Sequence, residues 1–171
     1  VLDDGKRVPL DEKRLEIIVT EACANLAEVD ANTIIKNTHQ NLFDGASIHD
    51  VSKALIITSR TLIEQEPNYS YVTARLLLDT LRNEGLSFLG LGQNATFNEM
   101  AELYPEYFKK AILKGIDLEL LDPKLKEFDL DRLSKALSPE RDLQFTYLGL
   151  QTLYDRYFLH KEGIRFELPQ V

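Results

Sequence analysis

Tryptophan is missing from this sequence of 171 residues, and cysteine and methionine occur once each. The lone Cys23 cannot close an internal disulfide, furnish a thiolate zinc site or run a Cys-x-x-Cys redox couple. Basic residues are also short: 20 Lys and Arg stand against 28 Asp and Glu, for a net charge of −8. Such a chain has little with which to neutralise a phosphate backbone, so nucleic acid is not an expected partner. No apolar run nears the ~20 residues that span a bilayer, and no signal peptide opens the chain. No membrane partner is therefore expected, and the expected compartment is the cytoplasm. Hydrophobic residues are plentiful, at 44% of the chain with 28% charged, which excludes wholesale disorder. A chain of this length suits one or two domains that bury roughly 70% of the unfolded surface.

The beginning reads as a short hairpin. Val1-Leu2 leads into the turn Asp3-Asp4-Gly5, and Lys6-Arg7-Val8-Pro9-Leu10 returns. Asp-Gly is favoured in such turns because Gly accepts positive φ, while Pro9 lacks an N–H for a ladder and confines this strand to an edge. Four helical patterns follow. Asp11 caps a helix over 12–27 with Leu15, Ile18, Val19, Ala22 and Leu26 on one face. Asp30 caps a second, with Ile34, Ile35, Thr38 and Leu42 inward, and Asp44-Gly45 breaks it. Ser47 and Asp50 have the spacing of a capping box ahead of the stripe Val51, Leu55, Thr58 and Leu62. The fourth follows Pro67-Asn68 over 69–86, with Tyr71, Ala74, Leu78 and Leu81 on one side. Short connections favour antiparallel neighbours, hence a four-helix bundle under a small β cap.

Gly85 and the stretch Gly90-Leu-Gly92-Gln-Asn94 mark the expected boundary between domains. Beyond it the patterns predict helices over 97–114, near 130–137 and over 143–156. Two short strands within 157–166 then turn at Gly163.

Few residues here suggest chemistry. Gly90-x-Gly92-x-x-Ala95 matches a dinucleotide fingerprint by letter, but a helix precedes it and no βαβ unit surrounds it, so it reads as a helix C-cap and linker. His39, His49 and His160 have no metal-ligand spacing, and no nucleophile elbow or Walker loop occurs. Asp117, Glu119 and Asp122, like Glu127, Asp129 and Asp131, read as solvent-facing residues or caps. Cys23 falls beside the apolar face of the first helix, as a small buried hydrophobe does. No catalytic residue and no metal site is expected in these residues.

Several landmarks nevertheless coincide: Asp4-Gly5, the turn Phe43-Asp44-Gly45, and Pro67-Asn-Tyr69-Ser-Tyr71-Val-Thr-Ala74-Arg75-Leu76. Arg141-Asp142-Leu-Gln-Phe145-Thr-Tyr147, Tyr157-Phe158-Leu159 and Glu167-Leu-Pro169-Gln170 extend them to the end of the chain. In these the sequence resembles the large subunit of class I ribonucleoside-diphosphate reductase. The resemblance implies a mainly α fold: an ATP-cone four-helix bundle capped by a short β-hairpin over 1–91, and over 92–171 the helical lead-in to the catalytic barrel, with a short terminal β-hairpin. It also implies a parent enzyme that reduces ribonucleoside diphosphates by cysteine-radical chemistry, with the reactive thiols beyond residue 171. Its partners would be the small subunit, which carries the metal-radical cofactor, and other large subunits. ATP and dATP would act as allosteric effectors.

Mapped onto this sequence, the family's nucleotide positions are mostly not retained. Leu2 and Asp3 stand in place of a Lys-Arg pair, Val8 in place of a glutamate, and Arg14 in place of a lysine. Ile48 and Ser52 replace a threonine and a histidine facing base and ribose, and Asn83 replaces a final lysine. Exchanging two cations for a leucine and a carboxylate weakens triphosphate binding severely. The expectation is a cone that keeps its fold and has lost the nucleotide. Lys6, Arg7 and Arg82 read first as solvated surface charge; with Arg14 they would be the cations of a relocated phosphate site if nucleotide still bound. A non-enzymatic helical interaction module sharing the bundle is the other alternative. Because Val1 is not methionine, the chain is expected to be a piece of a longer protein, one in which another cone precedes it.

Overall fold

The computed structural model describes Val1, residues 5–92 and residues 94–171. Among the described residues the α-helices are, in order, α1 (Glu12–Cys23), α2 (Ala31–Asn41), α3 (Ile48–Thr61), α4 (Tyr69–Phe88), α5 (Phe97–Asp117), α6 (Leu130–Lys135) and α7 (Tyr147–Arg156). Two 3₁₀ turns, Pro123–Glu127 and Pro139–Gln144, flank α6. Strands β1 (His160–Lys161) and β2 (Ile164–Arg165) close the chain as an antiparallel pair with His160 opposite Arg165. The chain divides into two compact units: Val1–Leu78 with Phe145–Leu150, and Asp79–Gln144 with Gln151–Val171. Among the described residues no helix is long and apolar enough to cross a membrane.

The first unit is built from locally specified helices. Asp30 receives the N–H groups of Asn32 and Thr33 at 3.0 and 3.1 Å and so caps α2. Ser47 and Asp50 form a reciprocal capping box on α3. Each cap satisfies N–H groups that have no partner within the helix. Leu15 and Val19 of α1, Ile34 of α2, Leu55 of α3, and Tyr69, Val72 and Leu76 of α4 then meet in one core. At about 1.5–3 kcal/mol per fully buried large side chain, this stripe packing holds the helices.

Three boundaries differ from the sequence expectation. Helix α1 stops at Cys23, and Asn25 and Glu28 in the connection that follows both adopt positive φ, 59° each. Helix α7 starts only at Tyr147, and Leu143 and Gln144, where the pattern begins, belong to the second 3₁₀ turn. Of the expected N-terminal hairpin, Leu2, Asp3 and Asp4 lie outside the described residues. Residues 6–10 are exposed and enter no ladder among the described residues, in keeping with the missing N–H of Pro9. Helix α4 ends where Leu91 N–H reaches back to the Leu86 carbonyl at 2.9 Å, with Gly90 at φ +66°. This is a glycine C-cap, as the spacing predicts.

The second unit centres on α5, whose Tyr104, Tyr107, Ala111 and Ile112 are buried. Phe108, Ile112 and Ile116 collect Leu121, Leu125, Leu130, Leu137 and Val171 around them. Phe88 stacks on Phe166 with ring centroids 5.1 Å apart. The acidic residues read as caps behave as such: Asp122 caps the first 3₁₀ turn, Asp129 caps α6, and exposed Asp131 pairs with Lys109 at 2.7 Å.

Candidate functional site

The positions singled out by the resemblance divide between the two units. In the first, the Val1 carbonyl accepts the Ile48 N–H at 3.1 Å, and the Val1 amino group donates to the Ala46 carbonyl at 2.5 Å. Arg7 also reaches this turn, since a Cβ built on Gly45 would lie 3.7 Å from its Nη2. Ile48 opens α3 and is 40% exposed, and Val8 is exposed to the same degree. Ser52, one turn along α3, donates its hydroxyl back to the Ile48 carbonyl at 3.3 Å. Arg14 is half-buried on α1, its N–H held by the capping Asp11 at 3.0 Å. Leu2 and Asp3 lie outside the described residues.

Asn83 belongs to the second unit and is engaged there. Its Nδ2 donates to Asp79 Oδ2 at 3.2 Å, and its Oδ1 accepts the Asn94 N–H at 2.9 Å. Asn94 takes φ +63°, so this bond holds a turn residue in the left-handed region. Arg82 corrects the sequence reading outright. It is not a solvated surface charge: its side chain is 9% exposed and pairs with Asp79, itself 7% exposed, at 3.3 Å. Leu81 and Leu86, its neighbours on α4, are buried as well.

Sequence patterns gave no warning of the buried polar network in this second unit. Tyr104 donates to Asp142 Oδ2 at 2.7 Å, and Gln170 Nε2 donates to Asp142 Oδ1 at 2.8 Å. The same Gln170 amide brackets Ser138, accepting its N–H at 3.1 Å and donating to its carbonyl at 2.8 Å. Burial pushes the Asp142 carboxyl above the usual range, while Tyr104, Gln170 and Arg82 pull it down. Tyr107 donates to the Phe166 carbonyl at 2.9 Å. Glu84 receives the Tyr154 hydroxyl at 2.5 Å and the Arg165 N–H at 3.2 Å. Glu167 accepts the Leu159 N–H at 2.7 Å, and burial raises its carboxyl too. Asp142 and Gln170 were landmarks of the resemblance, and their mutual hydrogen bond gives that spacing a physical reason.

Cys23 is half-buried, its thiol pushed up to about 11 by burial and by Asp30, which is the behaviour of a packed rather than a reactive cysteine. His39 pairs with Glu12 at 3.1 Å on the surface. No group of three His, Cys, Asp or Glu side chains among the described residues converges to hold a metal ion. A cavity of about 50 Å³ in the second unit, lined by Ala111, Ile112, Leu121, Phe166 and Glu167, has room for water-sized molecules. Nucleotide pockets are larger, from ~300 Å³ upward.

The family model for the ATP cone domain matches residues 1–84, the stretch that holds the four-helix core. Residues 1–84 are an ATP-cone domain. The similarity to known proteins runs further than the cone. The chain is 37% identical over 170 residues to the ribonucleoside-diphosphate reductase subunit alpha of Chlamydia muridarum, covering 98% of this chain and 16% of that protein. With the subunit alpha of Helicobacter pylori it shares 32% over 169 residues, or 98% of this chain and 20% of that one. The large subunit of Danio rerio is 23% identical over 142 residues, 83% of this chain and 17% of its own length. The chain thus spans 16–20% of the length of the bacterial relatives it matches. The cone match takes in α1, α2 and α3 and most of α4, and the reductase similarity continues through the residues that follow the cone.

Proposed function

We propose that the chain is the N-terminal regulatory region of a ribonucleoside-diphosphate reductase large subunit, the enzyme that makes deoxyribonucleoside diphosphates for DNA synthesis. The observation that carries this reading is reductase similarity over 98% of the chain with an ATP cone at its start. In this reading residues 1–91 are the cone and 92–171 lead into the catalytic barrel. The chain holds none of the reactive thiols and is inactive alone. In the cytoplasm it works with the small subunit, which supplies the metal-radical cofactor, and with other large subunits. ATP and dATP are effectors of the parent enzyme.

This cone has lost the nucleotide. A triphosphate needs several cations or N–H donors around it. The side chains at the mapped positions supply Arg14, with apolar Val8 and Ile48 in place of polar contacts. Asn83 spends its amide on Asp79 and Asn94. Arg82, the fourth cation of a relocated site, is buried against Asp79. An effector shifts an assembly only through different affinity for its states, so a cone that binds neither nucleotide contributes fold and contact surface without a nucleotide signal. Isothermal calorimetry of the 171-residue chain with ATP and with dATP should give no saturable heat at sub-millimolar ligand. A stoichiometric micromolar site would overturn the loss, and its disappearance in Arg14→Ala would locate the phosphates beside α1.

A further inference from the structure

The turn between α2 and α3 sets an aspartate beside a glycine with the reactive groups of both left unbonded. Ala46 N–H donates to the Phe43 carbonyl at 3.1 Å, so Asp44 and Gly45 are the central residues of a four-residue turn. Gly45 takes φ +90°, a region that favours glycine. Asp44 is exposed, and among the described residues its carboxyl makes no hydrogen bond or ion pair. The Gly45 N–H is likewise unbonded among them. The space around Gly45 is open: a Cβ built there would meet, among the described residues, only Arg7 Nη2 at 3.7 Å. The capping aspartates differ. Asp30 is committed to the N–H groups of Asn32 and Thr33 and to the Thr33 hydroxyl, and Asp50 to the N–H and hydroxyl of Ser47. Their carboxyls are held in place, whereas that of Asp44 is free to rotate onto the next peptide nitrogen.

We propose that Asp44 is a self-modification site that converts to isoaspartate through a succinimide. The Gly45 nitrogen attacks Asp44 Cγ and forms an N–Cγ bond. The carboxyl OH and the amide hydrogen leave together as water. A water molecule then adds to the ring at the Asp44 main-chain carbonyl and breaks its bond to the Gly45 nitrogen. The product has the original composition, but its backbone runs through Cβ and Cγ, and the former main-chain carbonyl carbon ends as a free carboxylate. Glycine favours the closure because no Cβ stands beside the attacking nitrogen. The chemistry needs only water, and it is independent of the reductase reading. The rerouted backbone is one atom longer, so the Ala46–Phe43 bond is lost and the Ser47–Asp50 box at the start of α3 loses its fixed approach.

Ageing the folded 171-residue chain at neutral pH tests this. Trypsin releases Asp44 in the peptide 37–53 and the sequence's other Asp-Gly step, Asp4-Gly5, in the peptide 1–6, so the two are read separately. Electron-transfer fragmentation in a mass spectrometer should find isoaspartate at residue 44. In water enriched in heavy oxygen, one label should enter peptide 37–53 for each ring hydrolysed. The rate should lie within about tenfold of that in the synthetic peptide 37–53, since about tenfold is the slowing expected from locking one residue's backbone. A greater slowing, or no isoaspartate at residue 44 while the free peptide converts, overturns the proposal. Asp44→Glu should abolish the label uptake in 37–53, because a longer side chain closes a six-membered ring far more slowly. Undiminished uptake in that variant would place the chemistry at another residue and overturn it as well. The isoaspartyl chain, separated by ion exchange, should exchange its Ala46 and Asp50 amides about fivefold faster, the equivalent of one lost hydrogen bond, when referred to the buried Val72 of α4. Equal exchange in the two forms would overturn the loosening of the turn.

Discussion

Glycine inside a helix is destabilising by roughly 0.5–1 kcal/mol against alanine, so Gly85 within α4 needs a reason. A Cβ there would lie 1.9 Å from the Tyr107 hydroxyl oxygen and 2.9 Å from its Cζ. The glycine is the space into which a buried tyrosine fits, and that tyrosine donates to the Phe166 carbonyl at 2.9 Å. Gly85→Ala should displace Tyr107 and break this bond. The expected loss is about 2–4 kcal/mol, from overpacking of roughly 1–3 and a hydrogen bond of roughly 1. Tyr107→Phe alone should cost about 1–2 kcal/mol by leaving a buried carbonyl unpaired. In the Gly85→Ala background the same change should instead recover stability, because the hydroxyl is the nearest clashing atom. Urea denaturation of the four proteins measures this reversal, and a loss in both backgrounds would show that Gly85 does not serve Tyr107. As a sequence feature Gly85 reads as a breaker. Its close approach to a side chain more than twenty positions away is invisible to local pattern.

At the scale of elements, α4 is the strut on which the α1–α2 connection hangs. Arg75 Nη1 donates to the Ala22 and Ala24 carbonyls at 3.0 and 2.8 Å, closing the C-terminus of α1. Asn68 Nδ2 donates to the Ala27 carbonyl at 3.0 Å, and the Tyr69 hydroxyl accepts the Asp30 N–H at 3.0 Å. Arg75→Ala should therefore destabilise the first unit by about 1.5–3 kcal/mol, the range for hydrogen bonds to a charged group. Faster amide exchange is expected at Ala24 and Leu26, whose N–H groups donate back to the Glu21 and Cys23 carbonyls at the end of α1. Arg75→Lys should recover only part, since an ammonium on a flexible stem lacks the planar fork. Full recovery by lysine would mean that charge alone matters there. The same contrast explains what was readable. Asp30, Ser47 and Asp50 cap residues two or three positions away, so helix starts and caps are legible in the sequence. The end of α1 is set by Arg75, 53 residues from Ala22. The Tyr147 N–H at the start of α7 meets the Ser70 hydroxyl, 77 residues away, at 3.2 Å. Both boundaries therefore lie beyond the reach of local pattern. The landmark run from Pro67 to Leu76 is legible as a resemblance, yet its physical meaning, a set of side chains aimed at another loop, lies in contacts far apart in sequence. The candidate nucleotide positions were likewise found by resemblance alone, and the buried setting of Arg82 by neither route.

For the whole molecule, the carboxylates of the two units respond to acid with opposite signs. In the first unit, hydrogen bonds from Thr33 and Asn32 hold Asp30 below the usual carboxylate range, and those from Ser47 do the same for Asp50. A folded-state pKa below the unfolded value contributes stability that is present above the unfolded pKa, near ~4, and lost as pH falls through the folded one. These two residues cap α2 and α3, so the loss is concentrated on those helices. In the second unit, burial holds Asp142 and Glu167 above the usual range. A raised carboxylate works the other way: its contribution is greatest below the unfolded pKa and declines as pH rises through the folded value. Exposed Asp131, lowered chiefly by its hydrogen bond from Lys109, opposes them there, but a surface pair is worth little. Acidification from pH 7 toward ~4 should thus increase amide protection around Tyr104, Ser138 and Phe166 while leaving α2 and α3 unchanged. Further acidification should strip protection from α2 and α3 first. Exchange rates corrected for their intrinsic pH dependence decide it. A uniform loss across the chain, or weakening near Ser138 already between pH 7 and ~4, would show that the buried carboxylates are held charged by their partners rather than strained by burial.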